Sequence, residues 1–236
     1  MHLQNVKILH QKFPTLEHYP FNLQVFHQTP ELPFPSTVSF FAGENGTGKS
    51  TLLKAISRCC GINIWQGDQR LRYEISPYEE KLFSAIQVEW ARSSVPGSYF
   101  DSQLFRHFAL MLDDWAVNDP GLLDYFGGKS LLQQSHGQSL MSFFQSRFKI
   151  KGLYLLDEPE TALSPKSQLS LLKLLNEAGL NGQAQFIIAT HSPILLACPK
   201  ACIYSFDHTP IKQIDYEETE YYRIYKRFME DRSRFI

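Results

Sequence analysis

The sequence is poor in cysteine, lacks long apolar runs and carries no excess of charge of one sign. Its four cysteines are Cys59, Cys60, Cys198 and Cys202. Their spacing is not typical of a zinc site, and free thiols of this kind suit a reducing compartment. No apolar run approaches the roughly 18–20 residues that span a bilayer, and residues 1–7 lack the charged and apolar regions of a signal peptide. We therefore expect a cytoplasmic protein with no transmembrane segment of its own.

The net charge and the length narrow the class of protein further. A formal net charge of −1 does not indicate a dominant nucleic-acid-binding surface, although a local basic patch would be compatible with it. A chain of 236 residues holds one sizeable α/β domain, or a core with a smaller subdomain attached. We expect a single domain over residues 1–236, with an inserted helical subdomain at about residues 61–150.

One segment fits a phosphate-binding loop at every fixed position of the pattern G-x-x-x-x-G-K-[ST]. A strand-type run, Val38–Ala42, precedes it, and apolar residues at helical spacing follow it over residues 51–56. Glycines let backbone N–H groups surround phosphate oxygens, and the following helix offers its positive end. Lys49 is expected to reach the β- and γ-phosphates, and the Ser50 hydroxyl to bind Mg²⁺. The expected ATP-contacting residues are Gly43, Glu44, Asn45, Gly46, Thr47, Gly48, Lys49, Ser50 and Thr51.

The hydrophobic pattern predicts an α/β fold around this loop. Short alternating or continuous apolar runs predict strands at residues 6–9, 21–26, 85–90, 152–157 and 184–189. Apolar residues at helical spacing predict helices at residues 103–115, 139–148, 165–178 and 217–232. The runs at 152–157 and 184–189 are typical of buried parallel strands. We expect a P-loop NTPase core with a mostly parallel central sheet, antiparallel N-terminal strands and the inserted helical subdomain.

Two adjacent carboxylates follow the predicted strand at residues 152–157. Four apolar residues and then Asp157 and Glu158 have the form of a Walker B element. Asp157 would hold the Mg²⁺ shell, and Glu158 would activate a water for attack on the γ-phosphate. Alternatively, two acids in this position cap a helix or mark the exposed end of a strand. The phosphate-binding loop upstream favours the catalytic interpretation.

Three segments together resemble the ABC-type (ATP-binding cassette) ATPases. Residues 135–139 read Ser-His-Gly-Gln-Ser and line up with the family's Leu-Ser-Gly-Gly-Gln signature, with His136 in place of a glycine and Gln134 in place of the leucine. Residues 157–165 resemble the Walker B element and D-loop. Thr190-His191-Ser192 looks like the family's switch histidine. The motifs occur in the family's order over about residues 36–195.

The resemblance implies a site shared by two subunits. Ser135, Gly137 and Gln138 would contact the γ-phosphate of a nucleotide held by the partner protomer, so a homodimer is expected on ATP binding. The inserted helical subdomain would carry this signature. His191 would contact the γ-phosphate and align the attacking water with Glu158. Without the family pattern, residues 135–139 would be interpreted as a helix N-cap and His191 as a core or edge residue.

Two further roles are assigned by the resemblance with alternatives. The Q-loop glutamine, which senses Mg²⁺ and water, is expected at Gln103, with Gln87 as a rival. An aromatic residue from the N-terminal strands usually stacks on adenine in this family. Tyr19 and Phe13 are the two candidates.

The D-loop form indicates which ABC-type ATPases are most similar. Leu163-Ser164-Pro165 looks more like the chromosome-maintenance, recombination-repair and overcoming-lysogenisation ATPases, and small stand-alone AAA-family relatives, than a transporter cassette. No heptad pattern lies between Ser50 and Ser135, so a coiled-coil arm is not expected there. The favoured hypothesis is a soluble ATPase whose ATP-driven dimerisation regulates a nucleic-acid or nuclease partner in repair or defence. The alternatives are the energy-coupling subunit of a membrane transporter and a nucleotide-gated switch, and the base Glu158 argues against the switch.

Overall fold

The computed structural model describes residues 1–64, 76–102, 104–126, 128, 130–133 and 136–236. The strands in these ranges are β1 (Leu3–Ile8), β2 (Glu31–Pro33), β3 (Val38–Ala42), β4 (Ile86–Trp90), β5 (Gly97–Asp101), β6 (Gly152–Asp157), β7 (Ala184–Ala189), β8 (Cys202–Ser205) and β9 (Lys212–Ile214). The α-helices are α1 (Gln24–Gln28), α2 (Lys49–Cys59), α3 (Phe105–Ala116), α4 (His136–Arg147), α5 (Pro165–Leu180), α6 (Pro193–Leu196) and α7 (Glu220–Glu230).

The strands form a larger, mostly parallel sheet and a smaller antiparallel sheet. The larger sheet has the order β5-β6-β7-β3-β8-β9, and only the β8–β9 pair is antiparallel. The smaller sheet has the order β2-β1-β4. The predicted α/β fold is therefore confirmed. Because the carboxyl ends of parallel strands meet at one edge of a sheet, the segments that follow β3, β6 and β7 are brought together there.

Two hydrophobic layers cover the two faces of the larger sheet. Side chains alternate along a strand, so β6 directs Leu153 and Leu155 to one layer and Tyr154 and Leu156 to the other. The first layer includes residues of α2 and the smaller sheet, and the second includes residues of α3, α4 and α5. Every residue of β3, β6 and β7 is buried, as the continuous apolar runs of β6 and β7 predict.

A buried glutamine ties the smaller sheet to the larger one. The side-chain oxygen of Gln185, in β7, accepts hydrogen bonds from the backbone N–H groups of His2 at 2.7 Å and Leu3 at 2.8 Å. Its amide nitrogen donates to the carbonyl oxygen of Leu3 at 2.8 Å. The hydrogen-bonding groups of the buried Gln185 amide are thus paired with backbone groups of β1 and the residue before it, in the way that the backbone of a neighbouring strand would pair. The start of β1 is held directly to the strand that leads to His191.

The prediction of a strand at residues 21–26 is wrong, because residues 24–26 belong to helix α1. Its buried side chains are Phe21, Val25 and Phe26, whose spacing fits one face of a helix rather than alternation. Phe26 also approaches the phosphate-binding loop, since a Cβ placed on Gly48 would lie 2.8 Å from Cζ of Phe26. In the helical conformation Phe26 therefore packs against the phosphate-binding loop.

The other predicted elements are present with shifted ends. The last predicted helix, residues 217–232, is α7 over Glu220–Glu230, because Thr219 is its N-cap and accepts a hydrogen bond from the N–H of Tyr222. Strand β5 lies in a stretch for which no strand is predicted. The interval 61–150 thus supplies β4 to the smaller sheet and β5 to the larger one in addition to helices α3 and α4. Among the described ranges, no helix combines the length and apolar character needed to cross a bilayer.

Candidate nucleotide-binding and catalytic site

The loop of residues 43–48 joins β3 to α2 and depends on three glycines. The φ angles of Gly43, Gly46 and Gly48 are +143°, +81° and +102°, in a region that favours glycine. Gly48 also has a steric reason to lack a side chain, given its close approach to Phe26. This backbone leads directly into the N-terminal end of α2, an arrangement that suits an anion.

The side chain of Lys49 folds back over this loop. Its ammonium group donates hydrogen bonds to the carbonyl oxygens of Gly43 at 2.5 Å and Glu44 at 2.7 Å. Lys49 is buried, and burial lowers the pKa of its ammonium group, whereas nearby carboxylates, Asp207 foremost, act in the opposite direction. The ammonium is thus placed at the mouth of the loop, where the sequence motif expects a phosphate-binding lysine.

Asp207, which no motif indicates, supports the loop from the other side. Its carboxylate accepts a hydrogen bond from the backbone N–H of Glu44 at 2.8 Å. A Cβ at Gly43 would lie 2.9 Å from Oδ1 of Asp207, so glycine is also required there for close packing. Asp207 follows β8, the strand that pairs with β3, and the sheet topology therefore brings it to the loop.

Ser50 and Asp157 meet where the loop helix faces the end of β6. The Ser50 hydroxyl donates to Oδ1 of Asp157 at 2.8 Å, and the Tyr99 hydroxyl donates to Oδ2 at 2.9 Å. Burial raises the pKa of Asp157, and these two hydrogen bonds oppose that effect. A hydroxyl and a carboxylate in this arrangement are oxygen donors of the kind that Mg²⁺ prefers.

Glu158 and His191 face each other beside this pair. Oε1 of Glu158 lies 3.5 Å from Nε2 of His191. Glu158 has a positive φ of +46°, an uncommon backbone conformation for a residue other than glycine, and such conformations concentrate at functional sites. Glu158 is the first residue after β6, and its carboxylate is directed toward His191.

His191 is held by two neighbours that fix its backbone and its ring. Its backbone N–H donates to Oε1 of the half-buried Glu160 at 2.7 Å, and its Nδ1 lies 2.6 Å from the hydroxyl of Tyr221. Burial lowers the pKa of His191, and the nearby Lys49 acts in the same direction. Burial likewise raises the pKa of Glu160, with the hydrogen bond from His191 acting against that shift.

Known proteins share features with this chain at the levels of sequence and fold. The AAA_21 family model, described as "AAA domain, putative AbiEii toxin, Type IV TA system", matches residues 134–197, which contain β6 and His191. The manganese transport system ATP-binding protein MntA of Synechocystis is 25% identical over an alignment of 180 residues, and the match covers 66% of this chain and 65% of that protein. The match thus spans just under two thirds of that relative's length.

Solved structures show the same fold. An ATP-binding cassette of an ABC transporter in its ADP conformation aligns with a TM-score of 0.53 and 13% identity, over 90% of this chain and 90% of that one. The structure described as an inward-facing conformation of a "putative metal-chelate type ABC transporter" aligns with a TM-score of 0.51 and 18% identity, over 92% and 85%. The chain thus has the fold of these cassettes and is similar in sequence to P-loop ATPases of the ABC/AAA kind.

The predicted signature lies partly outside the described residues. Gln134 and Ser135 are not among them, and α4 begins at His136. A Cβ at Gly137 would lie 3.4 Å from the carbonyl oxygen of Ala162, so the start of α4 lies against the predicted D-loop. Gln138 is exposed on the first turn of the helix.

The two Q-loop candidates differ in what the structure describes. Gln103 lies outside the described residues, but the chain just before it is next to Asp157, because Asp101 pairs with Asp157 across β5 and β6. Gln87 lies opposite Lys7 in the smaller sheet and is exposed. The choice between the two glutamines therefore stays a prediction.

The two adenine-stacking candidates also differ. Phe13 packs edge-on against Phe21, with ring centroids 5.0 Å apart, and belongs to the apolar layer of the smaller sheet. Tyr19 is 39% exposed, and its hydroxyl is hydrogen-bonded to that of Thr51 in the first turn of α2. Tyr19 is thus the candidate beside the phosphate-binding loop.

Motif analysis misses four residues of the site. They are Tyr99 on β5, Glu160 three residues after β6, Asp207 after β8, and Tyr221 on α7. Glu160 stands inside the Asp-Glu-Pro-Glu segment, where its acidic character is a signal of a role near the site. The other three come from elements remote in sequence, and no local pattern indicates them.

Proposed function

We propose that this chain binds Mg-ATP at residues 43–51 and hydrolyses it with Glu158 as the general base. The observation that carries the proposal is the 2.8 Å hydrogen bond from Ser50 to Asp157, because it joins the phosphate-binding helix to the carboxyl end of β6. Glu158 follows Asp157 directly and lies 3.5 Å from His191. Groups suited to binding the phosphates and a group suited to activating water are therefore adjacent.

The oxygen donors at this junction fit a magnesium ion. Ser50 and Asp157 would hold the ion together with phosphate oxygens and water, and Gln103 is the expected further ligand. Among the residues that the structure describes, no group of three or more histidine, cysteine or acidic side chains is arranged to hold a metal. This agrees with an ion that depends on the nucleotide for much of its coordination. The bound ion would neutralise charge on the β- and γ-phosphates.

The proposed reaction needs one proton acceptor and one aligned water. The water oxygen bonds to the γ-phosphorus, the bond from that phosphorus to the bridging oxygen of ADP breaks, and Glu158 receives a proton from the water. The products are ADP and inorganic phosphate. Lys49 would bind the β- and γ-phosphate oxygens, and His191 would help to align the water.

We infer that ATP also joins two copies of the chain. Ser135, Gly137 and Gln138 would bind the γ-phosphate of the nucleotide held by the partner protomer, as the likeness to the ABC signature implies. The close approach of Gly137 to Ala162 supports the inference, since Ala162 belongs to the predicted D-loop. Helix α4, which begins at His136 within the signature, would direct its positive end toward that phosphate.

The favoured role is regulation of a partner by the ATP-dependent dimer, in nucleic-acid repair or defence. The D-loop form and the matching family model, whose description names a toxin of a type IV TA system, support this role. The alternative role is the nucleotide-binding subunit of a transporter with separate membrane chains. The likeness to an ATP-binding protein of a manganese transport system supports the alternative.

A phosphate-release assay with the wild-type chain, Lys49→Ala and Glu158→Gln tests the proposed activity. We expect Mg²⁺-dependent release from the wild type and loss of release from both variants. Equal release from all three proteins would refute the proposed site. Pull-down of tagged Glu158→Gln with and without ATP, from separated soluble and membrane fractions, then distinguishes the roles. ATP-dependent recovery of an integral membrane protein supports transport, and recovery of a nuclease or nucleic acid supports regulation.

A further inference from the structure

A continuous hydrogen-bonded path runs from the phosphate-binding loop through helix α7 to His191. The hydroxyl of Tyr221 lies 2.7 Å from the carbonyl oxygen of Gly43 and 2.6 Å from Nδ1 of His191. The rings of Tyr221 and His191 also meet edge-on, with centroids 5.4 Å apart and an interplanar angle of 83°. Tyr221 is therefore in contact with both the loop and the histidine.

The direction of each hydrogen bond in this path is determined by the chemistry of its atoms. The Gly43 carbonyl oxygen can only accept, so the single hydroxyl proton of Tyr221 is donated to it. The Tyr221 oxygen must then accept from His191 at its other side, which requires the proton of a neutral imidazole to be on Nδ1. The neutral ring therefore has no proton on Nε2, where it presents a lone pair.

The unprotonated Nε2 faces the proposed base. It is buried, and within the described part of the chain it has no hydrogen-bond partner. Oε1 of Glu158 lies 3.5 Å away, too far for a normal hydrogen bond. Two acceptors that face each other without a proton between them repel, and a water that enters beside them would relieve this repulsion by donating one proton to each.

We propose that Tyr221 is a positioning residue that holds His191 as the Nδ1–H tautomer, so that Nε2 and Glu158 together orient the attacking water by accepting its two protons. Glu158 then takes one proton as the water attacks, and His191 keeps the other directed away from the γ-phosphorus. This inference rests on the proposed hydrolytic function. It adds a residue of the last helix to the catalytic arrangement.

The surroundings explain how α7 brings Tyr221 to this place. No residue of α7 is buried, and the helix begins at the Thr219 cap. Just before it, the hydroxyl of Tyr216 donates to the carbonyl oxygen of Pro193 at 3.0 Å, two residues beyond His191. The start of α7 and the residues just before it are therefore hydrogen-bonded to His191 and to Pro193, and the position of this helix determines the position of the Tyr221 hydroxyl.

The tautomer can be measured without turnover by ¹H–¹⁵N long-range correlation spectra of protein labelled at histidine. The signals of His191 are assigned by their absence from His191→Gln. We expect a pyrrole-type shift for Nδ1 and a pyridine-type shift for Nε2 in the wild type, and a change toward the opposite assignment in Tyr221→Phe. A pyridine-type Nδ1 in the wild type, or an unchanged pattern in Tyr221→Phe, would overturn the proposal. The wild-type spectrum decides the question even if the variant folds poorly.

Kinetics test the consequence for catalysis. Tyr221→Phe keeps the ring and removes the hydroxyl, so we expect kcat to fall about tenfold, while KM and the Kd for Mg-ATP stay within about twofold. A tenfold fall corresponds to about 1.4 kcal/mol, the size of one net hydrogen bond. Tyr225→Phe is the matched control, because Tyr225 is on the same helix and 57% exposed. Its kcat should equal that of the wild type.

The two experiments separate the failure of this inference from the failure of the proposed function. If Glu158→Gln abolishes hydrolysis but Tyr221→Phe retains the wild-type kcat, the positioning role is wrong and the hydrolytic site stands. If Glu158→Gln hydrolyses ATP like the wild type, the proposed function fails, and the catalytic part of this inference fails with it. The tautomer spectra then show only whether Tyr221 orients the ring.

Discussion

The hydroxyl of Ser50 donates a 2.8 Å hydrogen bond to Oδ1 of Asp157 across 107 positions of sequence. The parallel pairing of β6 with β7, and of β7 with β3, puts the end of β6 beside the helix that follows β3. The Asp157 carboxylate is buried and accepts a second hydrogen bond from Tyr99. The central sheet thus assembles the two oxygen donors that the proposed Mg-ATP site requires.

Lys49→Ala should weaken ATP binding severely. Charge-assisted hydrogen bonds to phosphate contribute about 1.5–3 kcal/mol each, so the Kd for ATP should rise at least tenfold, as measured by calorimetric titration. Lys54→Ala is the matched control, because Lys54 is exposed on the same helix and its nitrogen lies 3.9 Å from Asp101. An unchanged Kd for Lys49→Ala would contradict the assigned phosphate contact.

Glu158→Gln should retain ATP binding and lose turnover. A positioned general base typically contributes ~10²–10⁴-fold, so phosphate release in single-turnover experiments should slow by at least about a hundredfold. The amide keeps the shape of the side chain but cannot accept the proton from water. Glu177→Gln, at an exposed position of α5, should hydrolyse ATP at the wild-type rate. Near-normal release from Glu158→Gln would place the base elsewhere.

Gly48→Ala should destabilise the fold more than a strained conformation alone explains. Both Gly48 and Gly182 have positive φ, but a Cβ at Gly182 would meet nothing within 4 Å, whereas one at Gly48 would lie 2.8 Å from Phe26. Gly182→Ala should lower the free energy of unfolding by about 1–2 kcal/mol, and the clash in Gly48→Ala should add ~1–3 kcal/mol. Denaturant titration measures both values. Equal losses would mean that Phe26 moves away without cost.

The four cysteines should be unreactive in the folded protein. Burial raises the pKa of Cys59 and Cys198 to about 11 and of Cys60 to about 12, and it also raises the pKa of Cys202. At pH 8 the thiolate fraction of Cys59 and Cys198 should be about 100-fold below that of an ordinary thiol, and their alkylation by iodoacetamide correspondingly slower. The native rate should increase about tenfold per pH unit until the pH approaches the raised pKa. Fast alkylation of native protein at pH 8 would show accessible thiolates.

The same raised pKa values have a consequence for stability. The thiols have a higher pKa in the folded protein than in the unfolded chain. Above the ordinary thiol pKa of 9.0 the unfolded chain loses these protons while the folded protein keeps them, and this difference favours unfolding. The free energy of unfolding should therefore fall as the pH rises from about 9 toward the raised pKa values of the thiols. Cysteine-to-alanine variants should show a smaller fall over this range.

Much of the site could be predicted from sequence because its motifs are contiguous. The fixed spacing of residues 43–50 determines a loop between a strand and a helix, and an apolar run that ends in Asp157 predicts a central strand. Parallel strands then bring both motifs to one edge of the sheet. The pairing of Ser50 with Asp157 therefore follows from local patterns and one general rule of topology.

The residues that support the site could not be predicted, since long-range packing places them. Tyr221 contacts Gly43 across 178 positions, and Asp207 contacts Glu44 across 163. Tyr99 lies on β5. Apolar and polar residues do not clearly alternate over Gly97–Asp101, so the sequence of this short strand does not predict it. The six residues 21–26 alternate well enough to predict a strand, but so short a segment is also compatible with a helix, and packing decides between them.

The measurement that tests the central claim most directly is the solution mass of Glu158→Gln by light scattering, with and without Mg-ATP. Because this variant should bind ATP without cleaving it, we predict that the mass doubles when Mg-ATP is added. Ser135→Arg in the same background is the control, since a long cationic side chain in the signature should block closure and keep the protein monomeric while ATP still binds. A mass that does not change although ATP is bound would contradict the two-subunit site.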